Sequence, residues 1–294
     1  ASFEDGEISW SQSILYRAYA LFFDPRLPAE YDGLGSTGED DFFTEARQRF
    51  DELDGAVQDL LAPFLERPAS SSGYGCPISR DGGPVSWLDS GTASPTFKVW
   101  ACSTGDAAAD IEAVRAELDA LYAEMGDAAA MGPLVPDGGT AAEGGDDRID
   151  VYLIDHHSVR QRDGVDKPIE GESIAAISEA GPFAGGTASS YLMIGRPRLT
   201  APTEMRRTLA HELFHSLQFA HDFAVRVTDP VHVPWFFEAS AAWAEWRYAD
   251  AKAEVHADYF VSAFRNTPDF PLELPRRPGA PGMQFRHPLG AYLW

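Results

Sequence analysis

Between Thr208 and Asp222 the chain reads TLAHELFHSLQFAHD, and no proline or glycine interrupts it. His211 and His215 stand four positions apart, so on a helix of ~3.6 residues per turn both imidazoles leave one face, one turn apart. That spacing suits a single metal ion. Glu212 follows the first histidine and points around the helix, where its carboxylate can take a proton from a metal-bound water without being a ligand. Leu209, Ala210, Leu213, Phe214 and Leu217 make the surroundings apolar. A His-Glu-His group set among them is costly unless its polar atoms find partners. HExxH therefore predicts a buried helix carrying two zinc ligands and one base.

Two residues are candidates for the third ligand. His221 lies ten positions after His211, so HELFHSLQFAH nearly matches HExxHxxGxxH, in which a glycine lets the helix break and the third histidine swing back. Gln218 stands where that glycine would be. Glutamine resists the positive φ that glycine permits, so the helix is expected to run on and carry His221 away. The other candidate is Glu238, in PWFFEASAAWAEWRYAD, 23 positions beyond His215. Pro234 suits a first turn, and Ala239, Ala241, Ala242, Trp243 and Trp246 favour a buried helix. Two antiparallel helices joined around Val225 to Val233 would set Glu238 opposite the histidines. Two histidines and one glutamate form a known catalytic zinc arrangement, which favours Glu238.

HELFH followed by W-F-F-E-A-x-A-x-W-x-E resembles the gluzincin metalloproteases, whose third ligand sits in a W-x-x-E-G/A-x-A segment of the next helix. More narrowly it resembles a family of predicted secreted bacterial metalloproteases with HE-F/L-FH-x-x-Q-F and W-x-E-A-x-A-x-W-x-E. The likeness is sharpest from Tyr191 to Glu245. It implies an α+β chain: a helical N-terminal segment, then a thermolysin-like catalytic domain with a small mixed sheet and the HExxH helix. It implies zinc on His211, His215 and Glu238, Glu212 as base, and Glu245 and Gln218 behind the ligands. Thermolysin-like enzymes carry an aspartate four past the ligand glutamate; here that position is Ala242, so the residues behind the metal must be arranged differently. The resemblance also implies that the strand Ser189 to Gly195, through Tyr191, Leu192 and Met193, offers a free edge to an extended peptide. Related enzymes stabilise the oxyanion with a downstream His or Tyr, and His287 and Tyr292 are the residues available.

The function implied is hydrolysis of a protein or peptide by zinc-activated water. The rivals are a non-catalytic extracellular module that keeps zinc for structure or binding, and a metzincin-like site using His221. A formal net charge of −23 and a pI near 4.5 argue against nucleic acid, since phosphate binding needs a basic surface. No run of ~18 apolar residues is present to span a membrane. Cys76 and Cys102 are the two cysteines. They fit one disulfide of an oxidising compartment, with a cysteine that caps the zinc in a latent form as the alternative. A start at Ala1 without methionine fits removal of a leader, and with the resemblance the expectation is a secreted bacterial protein.

Along the chain, residues 1–67 read as helical, from Ser9 to Phe23 and from Asp40 to Arg67. They are either a structural helical pair or a pro-segment shielding the cleft. Residues 68–94 are rich in glycine, serine and proline and read as an irregular linker. The catalytic domain then runs from 95 to 294. In it Thr96 to Ser103 and Arg148 to Asp155 are strands, Ser173 to Ser178 a short one, and Ala107 to Met125 a helix. Pro136 to Asp147 is acidic and glycine-rich, a candidate Ca2+ site without the regular ligand ladder of a calcium loop. His156 and His157 end the second strand and read as exposed loop residues. Ala253 to Phe264 has helical spacing, Pro268 to Gly282 reads as loop, and Arg286 to Trp294 begins another apolar helix. An apolar end on Leu293 and Trp294 is unusual for a terminus, so the domain is expected to continue and to pack against the remaining C-terminal part of its own chain.

Overall fold

The computed structural model describes residues 8–21, 24, 26–31, 45–47, 49–69, 86–103, 105–129, 132–139, 144–154, 160–162, 165–167, 174–177, 186–199, 201–228 and 234–249. It is a mixed α+β structure around a five-stranded sheet. The helices are α1 (Trp10–Leu21), α2 (Gly55–Leu65), α3 (Ala107–Ala129), α4 (Pro202–Thr228) and α5 (Pro234–Tyr248). The strands are β1 (Trp87–Asp89), β2 (Phe97–Cys102), β3 (Ile149–Ile154), β4 (Arg160–Arg162), β5 (Val165–Lys167), β6 (Ile174–Ile177) and β7 (Ser190–Gly195). The sheet order is β1-β2-β3-β7-β6, with β4 and β5 as a separate hairpin.

Strands β2, β3 and β7 are parallel, in register Val99↔Val151 and Val151↔Leu192. Antiparallel β1 and β6 flank them. Parallel neighbours need a crossover, and α3 supplies the one from β2 to β3. The central strands are buried on both faces, and β3 and β7 are buried at every position, as parallel strands covered on two sides must be.

Alternation along the strands assigns each residue to one of two cores. Phe97, Val99, Ile149, Val151, Leu153, Leu192 and Ile194 pack with α3, α4 and α5. Tyr152, Ile154, Tyr191 and Met193 pack with Ile14, Ala18, Leu61 and Phe64 of α1 and α2. The N-terminal helices thus cover the sheet face opposite the HExxH helix and share a core with strands of the catalytic region. Residue 67 is not a core boundary, and these described helices do not lie over the histidines.

Local chemistry accounts for the element ends. Ser9 and Gln12 form a reciprocal cap at the start of α1, Gln12 N donating to Ser9 Oγ at 3.1 Å and Ser9 N to Gln12 Oε1 at 3.0 Å. The helical reading from Asp40 to Arg67 is divided in the described residues. A 3-10 turn at Phe50–Glu52 ends at Leu53, and α2 begins after Asp54, a residue type that favours helix starts. The supposed linker contributes β1, which adds antiparallel to β2 despite the breakers around it.

A buried ionic group pins the second core. Arg67 pairs with Asp137 and, at 2.8 Å, with Asp150, all nearly inaccessible. Trp100 Nε1 donates to Asp150 Oδ1 at 2.7 Å, and the Tyr152 hydroxyl donates to Asp150 Oδ2 at 3.0 Å. Burial pushes the Asp150 carboxyl above its usual range against those donors. Gly144 has a φ of +80 and lies so close to Asp150 that a Cβ would collide with the carboxylate, so this loop position requires glycine.

The loop read as a calcium candidate is therefore partly spent on cations: Asp137 meets Arg67, and Asp146 meets Arg148 and Lys98. Cys102 is buried at the end of β2 and is not a free thiol; Cys76 lies outside the described residues.

Candidate metal centre

Both helices of the site open on proline, Pro202 for α4 and Pro234 for α5, where the missing N–H is not needed. Cross-links between them run antiparallel. Arg206 Nε donates to the carbonyl of Tyr248 at 2.7 Å, His211 meets Glu245, and Gln218 Nε2 donates to Ser240 Oγ at 2.7 Å. Buried Ala239, Ala241 and Ala244 on α5 allow close approach. Arg206 also pairs with Glu117 and Glu124 of α3, fixing the base of the helix pair.

The apolar positions of the motif are the core-facing ones: Leu209, Ala210, Leu213, Phe214 and Leu217 are all buried. Phe214 meets Trp243 edge-on at 6.0 Å, and His215 stacks on Phe219 at 6.3 Å. Glu212 and His215 are buried too, and His211 retains 17% of its side-chain exposure. On α4 the position of His211 is therefore the one at which the site opens to solvent.

The two imidazoles are oriented from behind. His211 Nδ1 lies 2.6 Å from Glu245 Oε1. His215 Nδ1 lies 2.7 Å from Gln218 Oε1. Gln218 cannot be turned the other way, because its Nε2 donates to the carbonyl of Phe237 at 3.1 Å, which only accepts. Carboxylate and amide oxygens both accept, so each Nδ1 carries a proton, and a neutral ring held in this way has its lone pair at Nε2. Those Nε2 atoms face one another at 3.0 Å. Two lone pairs converge on one small volume, within reach of a single ion whose bonds to imidazole are ~2.0–2.1 Å long. Acceptors behind both Nδ1 atoms are what metal-binding histidines ordinarily have. The donor set fits a divalent cation such as zinc.

Helix α4 runs through Gln218 to Thr228 without a break, and His221 is exposed on it. The Gln218 side chain that replaces a glycine is used to hold His215 and α5 together. Residue 238 lies on α5, and its side chain is outside the described residues. Among the described residues no three His, Cys, Asp or Glu side chains group around one point, and the Glu238 side chain is not one of those described. The edge expectation for Tyr191, Leu192 and Met193 is corrected: β7 is hydrogen-bonded to β3 on one side and β6 on the other. A parallel crossover and an antiparallel return enclose it, so β6 holds the outer position. His156, His157, His287 and Tyr292 lie outside the described residues, as does everything from 250 onward.

Sequence reasoning passed over Arg207 and Ser240. Arg207 Nε lies 3.2 Å from Glu245 Oε2, and Ser240 Oγ accepts from Gln218. A basic residue one turn ahead of the first histidine was the available signal for Arg207. No protein-family model, no curated protein and no solved structure matches this chain.

Proposed function

We propose that the chain is a zinc-dependent peptidase in which His211, His215 and Glu238 hold the metal and Glu212 is the general base. One observation carries this reading: the two Nε2 atoms turned toward each other at 3.0 Å, with each ring's other nitrogen occupied from behind. Glu238 is supported by its position. It stands seven residues before Glu245, which puts both on one face of α5, and its neighbours Phe237 and Ser240 meet Gln218. Ala242, where thermolysin-like enzymes have an aspartate, leaves the support of the ligands to Glu245 and Gln218.

Zinc bound there supplies a Lewis acid and a water acidic enough to ionise near neutral pH. The chain's residues do the rest. Glu245 and Gln218 hold a proton on Nδ1 of His211 and His215, which leaves Nε2 of each ring as the atom that would meet the metal. Glu212 takes the proton of the attacking water at its carboxylate and later delivers it to the departing amine nitrogen. Its burial keeps bulk water from competing for that proton.

The strand-helix-strand order leading into an HExxH helix and an antiparallel partner helix supports a gluzincin-type arrangement, and with it a peptide substrate. With β7 enclosed, an extended peptide would pair along β6, the outermost described strand on that side. Cys102 not being a free thiol supports the expectation of an exported protein.

The test is Glu212→Gln. The variant keeps zinc and loses peptide hydrolysis by roughly 10²–10⁴-fold; casein cleavage at the wild-type rate overturns the assignment.

A further inference from the structure

The contact that the peptidase reading leaves unused is that of Arg207 with Glu245. Arg207 lies one turn before His211 on α4, so helical spacing sets both on the face that meets α5. Its guanidinium is held between two carboxylates: Glu204 at 2.9 Å from the preceding turn, and Glu245 at 3.2 Å from the opposite helix. Glu245 divides its oxygens, Oε1 accepting from His211 Nδ1 at 2.6 Å and Oε2 meeting Arg207 Nε. All three side chains of this row are at most one-fifth exposed.

A glutamate has three torsions to fix before it can hold an imidazole, and fixing them has an entropic cost. A rigid, permanently charged guanidinium on the second oxygen fixes them in advance. It also keeps Glu245 behind His211 and away from the metal, where a mobile carboxylate would compete as a ligand. We propose that Arg207 is a positioning residue for the metal centre, acting on the zinc through Glu245 and His211. This rests on the peptidase reading's metal site and goes beyond it by adding a third layer to it.

The test measures Zn2+ affinity of the full chain by chelator competition, together with the visible absorption of the Co2+-loaded protein, which reports ligand geometry. Arg207→Ala is expected to weaken Zn2+ binding by roughly 10–100-fold, the range for residues behind metal ligands, and to alter the Co2+ spectrum. Arg207→Lys is expected to recover most of the affinity, because it restores the charge at Oε2. Wild-type affinity and an unchanged Co2+ spectrum in Arg207→Ala overturn the proposal, whatever happens to its melting temperature. Should Arg207→Ala not fold, Arg207→Gln is read in its place on the same two outcomes. His215→Ala is the control that separates the two claims. If it loses Zn2+ while Arg207→Ala does not, the positioning role alone fails; if it keeps Zn2+, the metal site fails and the role with it.

Discussion

His211 Nδ1 lies 2.6 Å from Oε1 of Glu245, a residue 34 positions later on the neighbouring helix. This carboxylate sets which ring nitrogen carries the proton and so turns Nε2 inward. Glu245→Ala is therefore expected to weaken Zn2+ binding by roughly 10–100-fold, read by chelator competition. Glu245→Gln, which still accepts a hydrogen bond, is expected to lie between the alanine variant and wild type.

Gln218 joins His215 to Phe237 and Ser240. Gln218→Ala removes the acceptor from a buried imidazole N–H, at a cost of about 1–3 kcal/mol for that group left unsatisfied, while the Phe237 carbonyl keeps the Ser240 hydroxyl as a donor. The metal-free variant should unfold at lower urea concentration than metal-free wild type. His221→Ala, on the exposed part of the same helix, should leave both zinc content and the urea midpoint unchanged.

Arg67 sits between Asp137 and Asp150 under the sheet. Arg67→Leu leaves two buried carboxylates without their cation, and breaking a buried pair in this way destabilises by about 3–5 kcal/mol. The sign with pH follows from linkage. Burial already holds the Asp150 carboxyl above its usual range and Arg67 works against that burial, so removing Arg67 raises the folded-state value further and favours the protonated form in the fold. The loss should be largest at neutral pH and should shrink as pH falls through the raised value toward the ordinary carboxylate range. Urea unfolding of wild type and variant at neutral pH and at about pH 4 checks this; an equal loss at both contradicts it.

Cys102 is not a free thiol, and the sequence contains one other cysteine, Cys76. Alkylation of denatured, unreduced protein should label neither residue, and alkylation after reduction should label both. A loop of this length should contribute about 3.5 kcal/mol through the unfolded chain, so reduction should lower the urea midpoint. Labelling of Cys102 without reduction would contradict the pairing.

What the sequence disclosed was local. HExxH gave the α4 register because its apolar positions repeat at helical spacing, and RIDVYLID gave β3 because its β-rich run is short and continuous. The Asp40 to Arg67 pattern was read as one helix because hydrophobic periodicity carries through Leu53, whereas Asp54 is a better start than an interior residue. What escaped was non-local. Nothing in the run Ser189 to Gly195 says that β6 returns along it. Arg67 and its partners are 70 and 83 residues apart, so Asp137 reads in the sequence only as part of an acidic, glycine-rich loop. Arg207 escaped because its partner Glu245 becomes adjacent only when two helices pack.

The most direct measurement is the zinc content, by elemental analysis, of purified wild type, His215→Ala and Glu238→Ala. Wild type is expected to hold one zinc per chain, and neither variant to retain any after dialysis. A Glu238→Ala protein that folds and keeps its zinc would contradict the assignment.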